Sequence, residues 1–104
     1  MNYIFEIIDK NNKKIRLTKE RWKHILKHPH MSEFNQIDNI QLTLKNPTTI
    51  RYEEEDKEIN YFYKEFKHMP TTERYLLVSV KYLNGEGFII TSFFTNKITG
   101  LKLK

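Results

Sequence analysis

With 104 residues the chain, read as 1–104, has room for one domain and not for two. It has no cysteine, which excludes disulfides and thiolate metal sites and allows a reducing compartment. A formal net charge of +5 favours polyanionic partners, RNA or DNA first, although a composition rich in Lys and Asn produces such a charge without any partner.

The opening MNYIFEIIDK lacks the basic n-region and cleavage site of a secretory signal, and it alternates like a strand. No apolar run approaches the roughly 20 residues that span a bilayer. The expectation is a soluble, cytoplasmic protein without membrane contact. Residues 3–8, YIFEII, are predicted as the first strand, 9–12 as a turn built on Asp and Asn, and 14–17 as a short second strand. The chain is thus expected to open with a β-hairpin.

Thr18 to Met31, TKERWKHILKHPHM, reads as one helix, with Thr18 as N-cap and Pro29 as end signal. At about 100° per residue, Trp22, Ile25, Leu26 and Pro29 fall on a core-facing side. Arg21, His24 and His28 fall on another, in a stripe roughly 60° wide. Ser32 is a cap for a second helix to about Leu44, with Phe34, Ile37, Ile40 and Leu44 at helical spacing and Asn46-Pro47 as its stop.

Strands are expected at 48–52 (TTIRY), 59–66 (INYFYKEF), 75–83 (YLLVSVKYL) and 88–95 (FIITSFFT). The loop at 53–58, EEEDKE, is acidic and reads as solvated rather than as an RNA contact. Asn84-Gly85-Glu86-Gly87 is a hairpin turn, and the tail 96–104 is basic. The order β-β-α-α-β-β-β-β implies an α+β fold: an N-terminal hairpin, two helices, then a curled four-stranded antiparallel meander.

Lys81 lies mid-strand between apolar neighbours, and two registers are open. Pairing Leu83 with Phe88 places Ser79, Lys81 and Ser92 on one face. A one-residue bulge in the turn places Thr91 and Thr95 beside Lys81 instead. Either register gives the lysine a hydroxyl neighbour, and a solvated sheet face explains it equally well.

His24 and His28 are four apart, as in a shared metal site. The glutamate of HExxH is missing, there is no cysteine, and a third ligand would have to be His30 or His68. Neither a metal nor another cofactor is expected. His, Arg, Lys and a hydroxyl without metal suit RNA strand cleavage by the 2′-hydroxyl. That reaction needs a base for the 2′ proton and an acid for the leaving oxygen, and imidazole serves as either near neutrality. Arg21 and Lys81 are the candidates for charge near the phosphorane. Ser92, Thr91 and Thr95 supply hydroxyls, and Tyr61 and Tyr63 supply stacking surfaces, although packing inside an aromatic strand accounts for the tyrosines as well.

The run RLTKERWKHILKHPHM, the helix end LKNPTTI, YFYKEF and YLLVSVKYLNGEGFIITSFFTNKI resemble a phage- and mobile-element-associated branch of the barnase–EndoU–colicin–RelE-like nuclease superfamily. The similarity runs from about Ile15 to Gly100, and the HIL-x-HP segment and the GFIITSFFT strand carry it most specifically. It implies a helical pair followed by a four-strand meander. The activity it implies is a metal-independent endoribonuclease, toxin-like or phage-borne, acting on tRNA or mRNA. His24 and His28 match its motif histidines, Arg21 the basic residue before them, and Thr91 the hydroxyl of the last strand. The chain departs from the pattern at His30, where an acidic residue usually follows HP. The opening also looks like small ribonuclease toxins encoded beside an antitoxin, which implies an antitoxin or immunity protein over the basic cleft. The competing expectations are a non-catalytic module that binds RNA, DNA or an acidic protein, and a phage inhibitor or structural protein.

Overall fold

The alternating YIFEII and the short KIRLT run pair as antiparallel strands, β1 (Tyr3–Ile8) and β2 (Lys14–Thr18), in a computed structural model that describes residues 3–102. Residues 1–2, and 103–104 of the basic tail, lie outside that description. Asp9 closes the turn: its Oδ1 accepts from the Asn11 N–H at 2.8 Å and the Lys13 N–H at 2.9 Å. Asn12 there takes a φ of 63°, which a short polar side chain tolerates.

Helix α1 (Lys19–Ile25) and helix α2 (Gln36–Lys45) follow, then strands β3 (Thr49–Tyr52), β4 (Ile59–Glu65), β5 (Tyr75–Leu83), β6 (Glu86–Thr95) and β7 (Leu101–Lys102). The α+β class is as expected. The sheet is larger and mixed. Among the described residues seven strands form one sheet in the order β1-β2-β6-β5-β4-β3-β7. The meander is therefore not a separate unit. Residues Lys14, Ile15 and Arg16 of β2 run parallel to Glu86, Gly87 and Phe88 of β6, which joins the opening hairpin to it. At the far edge β7 pairs with β3.

Both helices are shorter than periodicity predicts. Pro29 disfavours helical backbone at His28. The chain responds with tighter i→i+3 bonds: Lys27 N to His24 O at 3.2 Å, His28 N to Ile25 O at 3.0 Å. Consecutive turns then run to Asn35, with His30 at φ 69° and Asn35 at φ 71°. Leu26 and Pro29 are exposed rather than core-facing, and Phe34 is 90% exposed. The buried anchors are Ile25 and Met31 before α2 and Ile40 and Leu44 within it. Each fully buried aliphatic side chain of this kind contributes roughly 1.5–3 kcal/mol.

The core and helix α2 occupy one face of the sheet, where Ile15, Leu17, Phe62, Leu76, Val78, Val80 and Ile89 are buried, and α1 lies along the β2–β6 side of it. The turn of the first hairpin is tied to this face by Tyr82, whose hydroxyl donates to Asp9 Oδ2 at 2.6 Å. Burial, and then that carboxylate, push the phenol well above its ordinary pKa, so it stays a donor. The opposite face is covered in part by the tail. Between β6 and β7 the chain recrosses it, and the Thr99 N–H donates to the Tyr63 hydroxyl at 3.1 Å. Tyr63 is only 1% exposed for that reason.

The β5–β6 hairpin has a two-residue loop, Asn84-Gly85, with φ of 54° and 82°, the type I′ signature. Leu83 thus pairs with Glu86 and Lys81 with Phe88. Neither expected register is realised as drawn: the extra residue is Ile90, between the Val80–Ile89 and Ser79–Thr91 pairs, not in the turn. It places Thr91 and Thr95 on the same face as Lys81, and Ser92 on the core face.

Gly87 sits where three elements meet. A Cβ there would lie 2.3 Å from Ile15 Cδ1 and 2.9 Å from Val80 Cγ1. Both neighbours are fully buried and cannot swing aside. Gly87→Ala is expected to lower the unfolding free energy by about 1–3 kcal/mol, read from the urea midpoint. An unchanged midpoint would show that the β2–β6 contact is looser than this packing implies.

Candidate functional site

Thr18 caps α1 as its sequence position predicts: Oγ1 accepts from the Arg21 N–H at 3.2 Å. Because β2 pairs with just three residues of β6, the remaining edge of β6 is open to α1 and the turns after it. His28 reaches that edge. Its Nε2 lies 3.3 Å from Thr91 Oγ1, and its ring centroid is 5.3 Å from that of Phe93. The hydroxyl can donate to a neutral imidazole or accept from its N–H, so it can hold the ring in either tautomer. His24 is exposed on α1, and the unwinding at Pro29 removes the straight stripe that would have aligned it with His28.

Arg21 and Lys81 come together in a groove of about 690 Å³ between the start of α1 and the β5–β6 hairpin. Lys19 and Lys23 add to its rim, against the carboxylate of Glu20. Its apolar wall is Leu83, Phe88, Ile89 and Ile90. Phe88, Ile90 and Thr91 follow one another along β6, so the groove and the His28–Thr91 pair are consecutive stations on one strand.

Lys81 is not idle. Its Nζ donates to Asp56 Oδ2 at 2.8 Å, with both side chains about one-third exposed at 35% and 34%. The hydrogen bond raises the lysine's pKa and lowers that of the acid. The acidic loop is thus not simply solvated: Asp56 folds onto the basic groove. The β4–β5 pairing Ile59–Lys81 brings the loop there, and composition carries no sign of it.

The remaining expected site residues disperse. Tyr61 donates its hydroxyl to Glu53 Oε2, which pushes its pKa up to about 12. It lines a second, acidic cavity of about 290 Å³ with Glu53, Glu54 and Thr99. Tyr63 is buried under the tail and offers no face to a base. Ser92 is fully buried on the core face, where its hydroxyl donates to Leu77 O at 2.7 Å. Thr95 Oγ1 accepts from the Lys97 N–H at 3.2 Å as β6 ends. Among the described residues no group of three His, Cys, Asp or Glu side chains gathers as a metal site would need, and no helix is long and apolar enough to cross a membrane.

Comparison of the chain with protein-family models, curated proteins and solved structures finds no match. The geometry of these residues is therefore what bears on function.

His30, the departure from the acidic residue expected after HP, has carboxylates at both ring nitrogens. Nδ1 is 2.9 Å from Glu33 Oε2, and Nε2 is 3.0 Å from Glu73 Oε2. Both nitrogens must donate, so the arrangement holds an imidazolium, and the two carboxylates raise its pKa, Glu33 first. This bridge pins the turns after α1 to the 3₁₀ turn at Thr71–Glu73. A raised folded pKa means that the stabilisation is complete below the unfolded histidine value of about 6.5. It is lost as pH rises through the folded value. The stability difference between wild type and His30→Asn, from thermal melts, is expected to be largest near pH 6 and to shrink toward pH 9. Asparagine tolerates the positive φ, so the comparison isolates the ring. A difference that stays constant over that range would rule out a charged His30.

Proposed function

We propose that the chain is a metal-independent endoribonuclease, toxin-like or phage-borne, that cleaves tRNA or mRNA by attack of the 2′-hydroxyl. The observation that carries this reading is the His28 Nε2–Thr91 Oγ1 contact at 3.3 Å, on the strand residue that follows Ile90 in the wall of a groove rimmed by Lys19, Arg21, Lys23 and Lys81. The resemblance to the barnase–EndoU–colicin–RelE-like superfamily matches His28 and Thr91 to the same chemistry.

In this reading Arg21 and Lys81 hold the phosphate and offset the charge that grows on the phosphorane. His28 moves a proton, from the 2′-hydroxyl or to the leaving 5′-oxygen, and Thr91 holds the imidazole toward β6. Attack of the 2′-oxygen on phosphorus and departure of the 5′-oxygen leave a 2′,3′-cyclic phosphate and a 5′-hydroxyl. A cytoplasmic RNA is the substrate, and an acidic antitoxin or immunity protein would cover the groove.

Purified protein incubated with total tRNA and a structured mRNA in EDTA is expected to yield discrete fragments with 2′,3′-cyclic phosphate ends. His28→Ala is expected to slow their formation by about 100-fold or more while the melting temperature changes little. Undiminished cleavage by His28→Ala would remove His28 from the chemistry. Intact RNA with the wild-type protein would replace the enzyme with a non-catalytic binding module for RNA, DNA or an acidic protein.

A further inference from the structure

Phe88 and Lys81 are directly opposed across the β5–β6 ladder, on the face away from the core. Side chains paired in this way stand next to each other. An aromatic ring and an ammonium group side by side match the two ends of a nucleotide, a flat base and an anionic phosphate. The wall of the groove continues the ring with Ile90, which the bulge turns toward it, and the rim adds Lys19, Arg21 and Lys23. An anion already sits on the lysine. The Asp56 carboxylate is 2.8 Å from Nζ in an ion pair about one-third open to solvent, which contributes modest net stability and can be displaced by a competing anion.

We propose that this groove is a subsite for one unpaired nucleotide. Its base stacks on Phe88 beside Ile90, and its phosphate displaces Asp56 from Lys81. The subsite admits single strands, because a base stacked in a helix has no free face for Phe88. Asp56 thereby acts as a resident competitor that weakens binding of every phosphate chain until the chain also occupies Phe88. This inference deepens the reading above and rests on it for RNA as the polymer.

The probe that separates binding from cleavage is a fluorescently labelled single-stranded DNA hexamer, which lacks the 2′-hydroxyl. Its affinity is measured by anisotropy at one fixed salt concentration, since salt alone shifts such affinities. Phe88→Leu keeps the apolar volume and removes the ring, and is expected to weaken binding about tenfold. Asp56→Asn keeps the Oδ1 that accepts from the Glu58 N–H at 3.0 Å, so the loop stays folded, and is expected to tighten binding about threefold or more. In a Lys81→Ala background the same Asp56→Asn change is expected to have no effect, because the competitor has lost its site. Equal tightening with and without Lys81 would mean a general change of charge and would overturn the displacement. Unchanged binding by Phe88→Leu, or equal binding of a hairpin duplex, would overturn the stacked base. Intact RNA in EDTA together with the expected binding changes would end the catalytic reading and leave the subsite. Cleavage that depends on His28 without those changes would do the reverse.

Discussion

The short parallel pairing of Lys14–Arg16 with Glu86–Phe88 is the contact on which the rest of the structure depends. It is short because the chain leaves β2 at Thr18 and enters α1. The strand that would have covered the rest of β6 is replaced by a helix and a set of turns, and these deliver His28 to Thr91. A longer β2 would have filled the same edge with backbone hydrogen bonds and left no groove. Gly87 is what allows the pairing, since Ile15 and Val80 occupy the space of any side chain there.

The two faces of the sheet are used differently. The helix-bearing face holds the aliphatic core and the buried Asp9–Tyr82 link. The other face is divided by the tail, which buries Tyr63 and leaves Tyr61 with Glu53 at an acidic end. The basic end, around Lys81, Arg21 and Phe88, is separate from it. Arg16 extends the charged network on this second face: it pairs with Glu6 at 2.5 Å and with Glu86, and its guanidinium carbon lies 5.8 Å from the Phe88 ring centroid. A chain with net charge +5 thus keeps several of its cations in ion pairs. The freedom of Lys81 is set by Asp56 rather than by the total charge.

Much of the secondary structure was legible because it depends on neighbours in sequence. Alternation in YIFEII and YLLVSVKYL, the Asn84-Gly85 turn and the Thr18 cap are local signals, and each element forms where they lie. Periodicity overran at α1 because the wheel assumes an unbroken helix. Pro29 acts backward on His28, and the i→i+3 turns rotate the histidine off the stripe. Phe34 kept helical spacing with Ile37 and Ile40, yet it precedes the left-handed Asn35 and faces solvent.

The sequence by itself determined the α+β class, the positions of β1 to β6 but not of the short β7 in the basic tail, and the exclusion of thiol chemistry. These follow from residue type and short-range spacing. The tertiary structure alone decided which of those residues meet. The bulge at Ile90 assigned Thr91 to the outer face and Ser92 to the core, because a one-residue slip inverts every side chain beyond it. The β2–β6 pairing, 72 residues apart in the chain, and the fold-back of the acidic loop onto Lys81 depend on contacts that no local pattern encodes.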